Sequence, residues 1–254
     1  MTQLDLWKRG VFLTPRDDPA MRVYLWFYEW HLFDAIAPGE HTKGRYDSEK
    51  WISPEHDRAR LTLPGLALTA TARDNGANLE LHVTNESDHD WPEQAAIIPC
   101  FNPGRSSEDD APPNERLFDD DHQRTFFPAS EGLNLLIDRE IHWNQQWREQ
   151  VAALGRPDED DGPFVFSFKW PESDVDATGG LLTRESTDGK WVAGIAWERF
   201  LSCQGHNPWR CMHLSVRVGP LKRGESRVVS GRVYLFPGTA EDCLTRYREE
   251  FGAE

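Results

Sequence analysis

The chain has 254 residues, 38% of them hydrophobic and 28% charged, with a formal net charge of -15 and a mean hydropathy of -0.67. This is the composition of a folded, water-soluble domain, long enough to bury a core without disulfides or metal. The acidic balance argues against a nucleic-acid partner, and the absence of any apolar run near ~18 residues argues against a membrane span.

Met1–Leu13 carries Asp5, Lys8 and Arg9 where a signal peptide needs an apolar stretch. The sequence as it stands therefore reads as cytoplasmic, with export by a removed leader as the alternative. Arg22–Phe33 is nearly all β-branched or aromatic, the mark of a strand buried on both faces. Ala59–Leu63 and Leu66–Ala72 read as strands separated by Pro64-Gly65. Asn78–Thr84 alternates after the hairpin signal Asp74-Asn75-Gly76. Gln94–Phe101 is a further strand, and Asn102–Asn114 and Arg156–Gly162 are long polar loops. Asn144–Leu154 reads as a helix. Phe164–Lys169, Gly180–Arg184, Trp191–Trp197, Cys211–Val218 and Arg227–Phe236 follow as strands. Thr239–Phe251 is the best helix, with Thr239 and Asp242 spaced as a capping box and Leu244, Tyr247 and Phe251 on one stripe. The expectation is an all-β antiparallel sandwich with a short C-terminal helix, one domain over residues 1–254.

Two segments stand out chemically. In Arg22–Phe33, strand alternation puts Glu29 and His31 side by side on the face of Val23, Leu25 and Phe27. A buried carboxylate must be paired or face a cleft, so the pair reads either as an acid/base or metal-ligand pair at a strand end or as a structural pair at the sheet rim. Trp30 lies on the opposite face. The second segment, Cys203–His213, reads as a loop entering a strand and brings His206, Asn207, Trp209, Arg210 and His213 together. Polar loops on a rigid sheet are where binding residues concentrate, although a surface loop pinned by Trp209 would look the same. In the strand that follows, Met212, Leu214, Val216 and Val218 are expected to face the core. Cys211, His213, Ser215 and Arg217 take the other face.

The same segment permits a zinc reading through Cys203, His206, Cys211 and His213, set against ordinary buried thiols. An open divalent-metal site would instead use His31, His41 and His206. All four cysteines (Cys100, Cys203, Cys211 and Cys243) are expected as free thiols, with Cys203–Cys211 the pair to bridge if the protein is exported. Glu198 and Asn102 are further candidates at strand ends, and eleven tryptophans offer faces for stacking on sugar rings. GxSxG, Walker A, GxGxxG and HExxH motifs are absent.

The stretches DGKWVAGIAWE, GHNPWRCMH, VRVGPLKRGES and GRVYLFPGTAEDCLTRYREEF resemble uncharacterised bacterial β-sandwich proteins of polysaccharide-degrading genomes. The C-terminal third is similar to the last sheet of galactose mutarotase-like sandwiches, a group of epimerases, polysaccharide lyases and accessory domains. The resemblance implies that fold and an oligosaccharide or polysaccharide partner. The expected activity is acid/base chemistry of a lyase or epimerase type. His31 or His206 would move the proton, Glu29 would orient or pair with it, and Arg210 would bind an oxyanion. Trp209, Asn207, Trp30, Asn102, His213 and Glu198 would bind substrate. The competing expectations are a non-catalytic carbohydrate-binding module and a structural partner domain.

Overall fold

The computed structural model describes residues 1–8, 10–26, 48–103, 122–137, 139–153, 170–205 and 211–252. Within them the strands are β1 (Thr2–Trp7), β2 (Gly10–Pro15), β3 (Val23–Trp26), β4 (Glu49–Ile52), β5 (Arg58–Leu63), β6 (Leu66–Arg73), β7 (Gly76–Thr84), β8 (Ala96–Ile97), β9 (Cys100–Asn102), β10 (Thr125–Ala129), β11 (Gly132–Leu135) and β12 (Ile141–Trp143). After helix α1 (Arg148–Ala153) come β13 (Leu181–Glu185), β14 (Trp191–Trp197), β15 (Phe200–Gly205), β16 (Met212–Arg217), β17 (Ser226–Pro237) and helix α2 (Ala240–Phe251).

These strands form two antiparallel sheets. The first runs β1-β2-β3-β9-β16-β15-β12, with β8 also bonded to β16. The second runs β11-β10-β13-β14-β17-β7-β6-β5-β4. One apolar cluster joins them, drawing Leu13, Leu25, Phe101 and Leu214 from the first sheet and Leu61, Leu79, Ile195 and Val233 from the second. The antiparallel sandwich with a C-terminal helix is therefore the observed architecture.

The hairpins follow their turn residues. Arg73 pairs with Gly76, so Asp74 and Asn75 alone make the turn. Gly76 has φ +122, and a Cβ there would sit 1.9 Å from the Val233 carbonyl oxygen. Leu63 pairs with Leu66 across Pro64-Gly65. Helix α2 carries the expected capping box: the Thr239 side chain accepts from the Asp242 amide, and Asp242 accepts from the Thr239 amide at 2.9 Å. Its apolar stripe, with Cys243, Leu244 and Tyr247, packs on Leu181, Val192 and Tyr234 of the second sheet.

The strands β4, β10, β11 and β12 carry no expectation from the sequence, and other elements differ from theirs. β1 and β2 form a hairpin that the charges of the N-terminal segment concealed. Gln94–Phe101 divides into β8 and β9 around Pro99, which has no amide hydrogen to extend a ladder. Residues Cys203–Gly205 are not loop but the end of β15, whose register shifts between Phe200 and Ser202. The first helix begins at Arg148 rather than Asn144. Asn144 is held outside it, donating from Nδ2 to the Phe200 carbonyl at 3.1 Å and accepting from the Gln146 amide at 3.0 Å. Phe164–Lys169 and most of the two long loops lie outside the described residues.

Candidate functional site

Alternation along β16 sends Met212, Leu214 and Val216 into the core between the sheets. His213, Ser215 and Arg217 therefore emerge on the outer face of the first sheet. Across the ladder, Gln204 stands opposite His213 and Ser202 opposite Ser215. On the other side Cys100 stands opposite His213, and Asn102 lies opposite Tyr24. The outer face thus carries a polar strip of Asn102, His213, Gln204, Ser202 and Ser215. All five are buried. Hydrogen bonds run from Gln204 Nε2 to Ser202 Oγ (2.9 Å) and between the Ser202 and Ser215 hydroxyls (3.1 Å).

Aromatic groups flank the strip. Toward β2, Trp7, Phe12 and Tyr24 meet Cys100 and Cys211. Toward β12, Trp147 and Trp170 pack on Ile141, Trp143 and Leu201. Arg217, at the end of the polar row, stacks on Trp147 with its guanidinium carbon 4.0 Å from the ring centroid.

At that end a cleft of about 870 Å³ opens, lined in part by Gln146, Trp147, Glu198, Arg199, Arg217 and Arg248. Two of its arginines are held by backbone carbonyls. Arg217 Nη1 donates to Gly219 O (3.2 Å) and to Glu93 Oε2 (3.1 Å), and Arg199 Nη2 donates to Gly219 O at 2.8 Å. Arg227 Nη1 reaches the same carbonyl at 2.7 Å. Burial, reinforced by Arg199, lowers the Arg217 pKa to about 10. Burial and then the Arg227 charge lower that of Arg199. Both remain charged at neutral pH, and they hold a local positive field on an acidic protein.

Of the residues singled out in the sequence, Glu198 lies in this cleft, where its Oε1 accepts from the Ser230 amide at 2.8 Å. Asn102 and His213 lie on the polar strip. Glu29, Trp30, His31, His41, His206, Asn207, Trp209 and Arg210 fall outside the described residues. Sequence reasoning missed Trp147, Arg199 and Arg248. It had placed Arg217 on the correct face without assigning it to a site.

The zinc reading through Cys203 is corrected. Cys203 belongs to the core between the sheets, on the opposite face from Cys211 and His213. Burial also pushes its thiol far above the ordinary range. Cys100 is the residue that joins Cys211 and His213: one ligand atom from each lies within 4.8 Å of the others. All four cysteines are free thiols and buried.

No protein-family model and no curated protein matches the chain. Several solved structures are similar in fold. A galactose mutarotase-like protein from Lactobacillus casei is 12% identical, with a TM-score of 0.46 over 93% of this chain and 100% of its own. A galactose mutarotase related enzyme from Lactobacillus acidophilus is 8% identical, with a TM-score of 0.39 over 94% of this chain and 99% of its own. A polysaccharide lyase is 9% identical, with a TM-score of 0.43. That match covers 98% of this chain but only 34% of the lyase, so the chain spans about a third of the lyase's length. Among the described residues, no helix is long and apolar enough to cross a membrane.

Proposed function

We propose that the chain, read as one domain, is a carbohydrate-active protein that takes an acidic oligosaccharide in the cleft beside Trp147 and Arg217. The observation that carries this reading is the stacked Arg217–Trp147 pair at a cleft edged by amide, carboxylate and guanidinium groups. Such a lining suits a polyhydroxylated ligand: the indole offers an apolar face, the amides exchange hydrogen bonds with hydroxyls, and the arginines favour a sugar carboxylate. The proposed reaction is proton transfer at a sugar carbon, of the lyase or epimerase type. His31 or His206 moves the proton, Glu29 pairs with it, and Arg210 stabilises the developing oxyanion.

The test begins with a panel of neutral and uronic-acid oligosaccharides, scored by calorimetry for binding and by product analysis for turnover. The expected result is binding of acidic members, weakened at least tenfold by Trp147→Ala. His31→Ala or His206→Ala should lower turnover by roughly 10²–10⁴-fold while leaving binding nearly unchanged. Binding without turnover by the unmodified protein would replace the enzyme reading with a carbohydrate-binding module. A panel that is neither bound nor converted would remove the carbohydrate reading altogether.

A further inference from the structure

We propose that Cys100, Cys211 and His213 form a zinc-binding site that fastens β9 to β16 on the outer face of the first sheet.

The site is built by register rather than by a sequence motif. His213 lies directly opposite Cys100 in the β9–β16 ladder. Cys211 precedes His213 by two residues, so an extended backbone puts both side chains on one face. The ligand atoms converge within 4.8 Å. Tetrahedral zinc, with bonds of about 2.3 Å to sulfur and 2.0–2.1 Å to nitrogen, sets its ligand atoms roughly 3.4–3.8 Å apart. Binding would therefore need the separations to shorten by about 1 Å, on the scale of a side-chain rotation.

The buried surroundings suit an assembly with no net charge. Cys100 and His213 are fully buried, and Cys211 is 1% exposed. Phe12 and Tyr24 pack against the two thiols. On binding, each thiol loses its proton to solvent and forms a sulfur–zinc bond, while the imidazole gives a nitrogen lone pair. Two thiolates and one Zn²⁺ sum to zero charge, which a low-dielectric pocket tolerates far better than an isolated ion. Three protein ligands leave the fourth tetrahedral position for water or another donor.

A neighbouring strand also offers an acceptor that a small rotation could bring to the His213 ring. Gln204 stands opposite His213 on the β15 side. Its Nε2 is engaged by Ser202, while Oε1 is buried and has no hydrogen-bond partner among the described residues. A metal-bound histidine needs such an acceptor for its other ring N–H. The remaining thiols are elsewhere: Cys203 faces the core between the sheets, and Cys243 lies on helix α2, against the second sheet.

The test uses the full chain purified from zinc-supplemented medium. Elemental analysis should find one zinc per chain after dialysis. After the zinc is stripped with a chelator, adding Co²⁺ to the metal-free protein should give intense near-ultraviolet thiolate-to-cobalt absorption, visible bands of tetrahedral cobalt and release of two protons per ion. Cys100→Ser and Cys211→Ser should each weaken cobalt binding at least tenfold and diminish the thiolate absorption, and Cys203→Ala should leave both intact. Should a serine variant fail to fold, the unmodified protein still decides through its stoichiometry, thiolate absorption and proton count. Protein that retains no metal, a cobalt spectrum without thiolate bands, or an equal loss on Cys203→Ala would overturn the assignment.

Discussion

His142 shows how a single ring can be locked in one protonation state. The Ile137 amide donates to its Nε2 at 3.3 Å, so Nδ1 carries the proton and donates to the Val175 carbonyl at 2.9 Å. Burial lowers its pKa below the ordinary 6.5. The folded chain therefore stays neutral at this residue where the unfolded chain protonates. Its contribution is intact above about pH 6.5 and declines as pH falls, by at most about 1.4 kcal/mol per pH unit. Chemical denaturation between pH 7 and 5 should show a shallower pH dependence for His142→Asn than for the parent. An equal slope would assign the titration to other groups. The candidate site was legible to a similar, partial degree. The alternation of Met212–Val218 correctly predicted which side chains leave the core, including His213 and Arg217. It could not show that Trp147 lies over Arg217 or that Cys100 faces His213, because those meetings depend on which strands pair. Cys203 and Cys211 are near in sequence but lie on opposite faces of the sheet, which spacing alone does not reveal.

At the scale of elements, those with local signals were readable and those fixed by tertiary pairing were not. The capping box marks the start of α2 in sequence, and Asp74-Asn75-Gly76 marks the β6–β7 hairpin. β15 has no such mark. Its register shift breaks the alternation, and pairing with both β12 and β16 holds it extended. Two substitutions test the local devices. Thr239→Ala removes the acceptor for the Asp242 amide and should cost about 1 kcal/mol in denaturant unfolding. Gly76→Ala strains a positive φ and drives a methyl against the Val233 carbonyl oxygen, with no side chain there to yield. It should cost more than the cap, and a smaller loss would mean that the hairpin shifts to accommodate the methyl.

Across the whole molecule, an overall charge of -15 coexists with a cleft framed by Arg199, Arg217 and Arg248. A bound acidic sugar would feel attraction from the near arginines and repulsion from the distant acidic surface. Salt screens both, but the nearer, partly buried contacts are screened less. Affinity for an acidic oligosaccharide should therefore change with ionic strength, while that for its neutral analogue should stay flat. Parallel calorimetric titrations at low and physiological salt measure the difference. Identical salt responses would show that the arginines serve the fold and not the ligand.

The position of β17 also bears on how the chain is made. It is the tie across the middle of the second sheet, pairing with β14 from Trp191 to Trp197 on one side and with β7 from Gly76 to Thr84 on the other. A chain leaving the ribosome presents β4–β7 first and β10, β11, β13 and β14 later. Each group holds an unpaired border until residues 226–237 emerge. Translation thus passes through a stage with two half-built sheets whose open borders fit the same missing strand. Neighbouring nascent chains can join there, so slow synthesis through the final segment should raise the demand for chaperones.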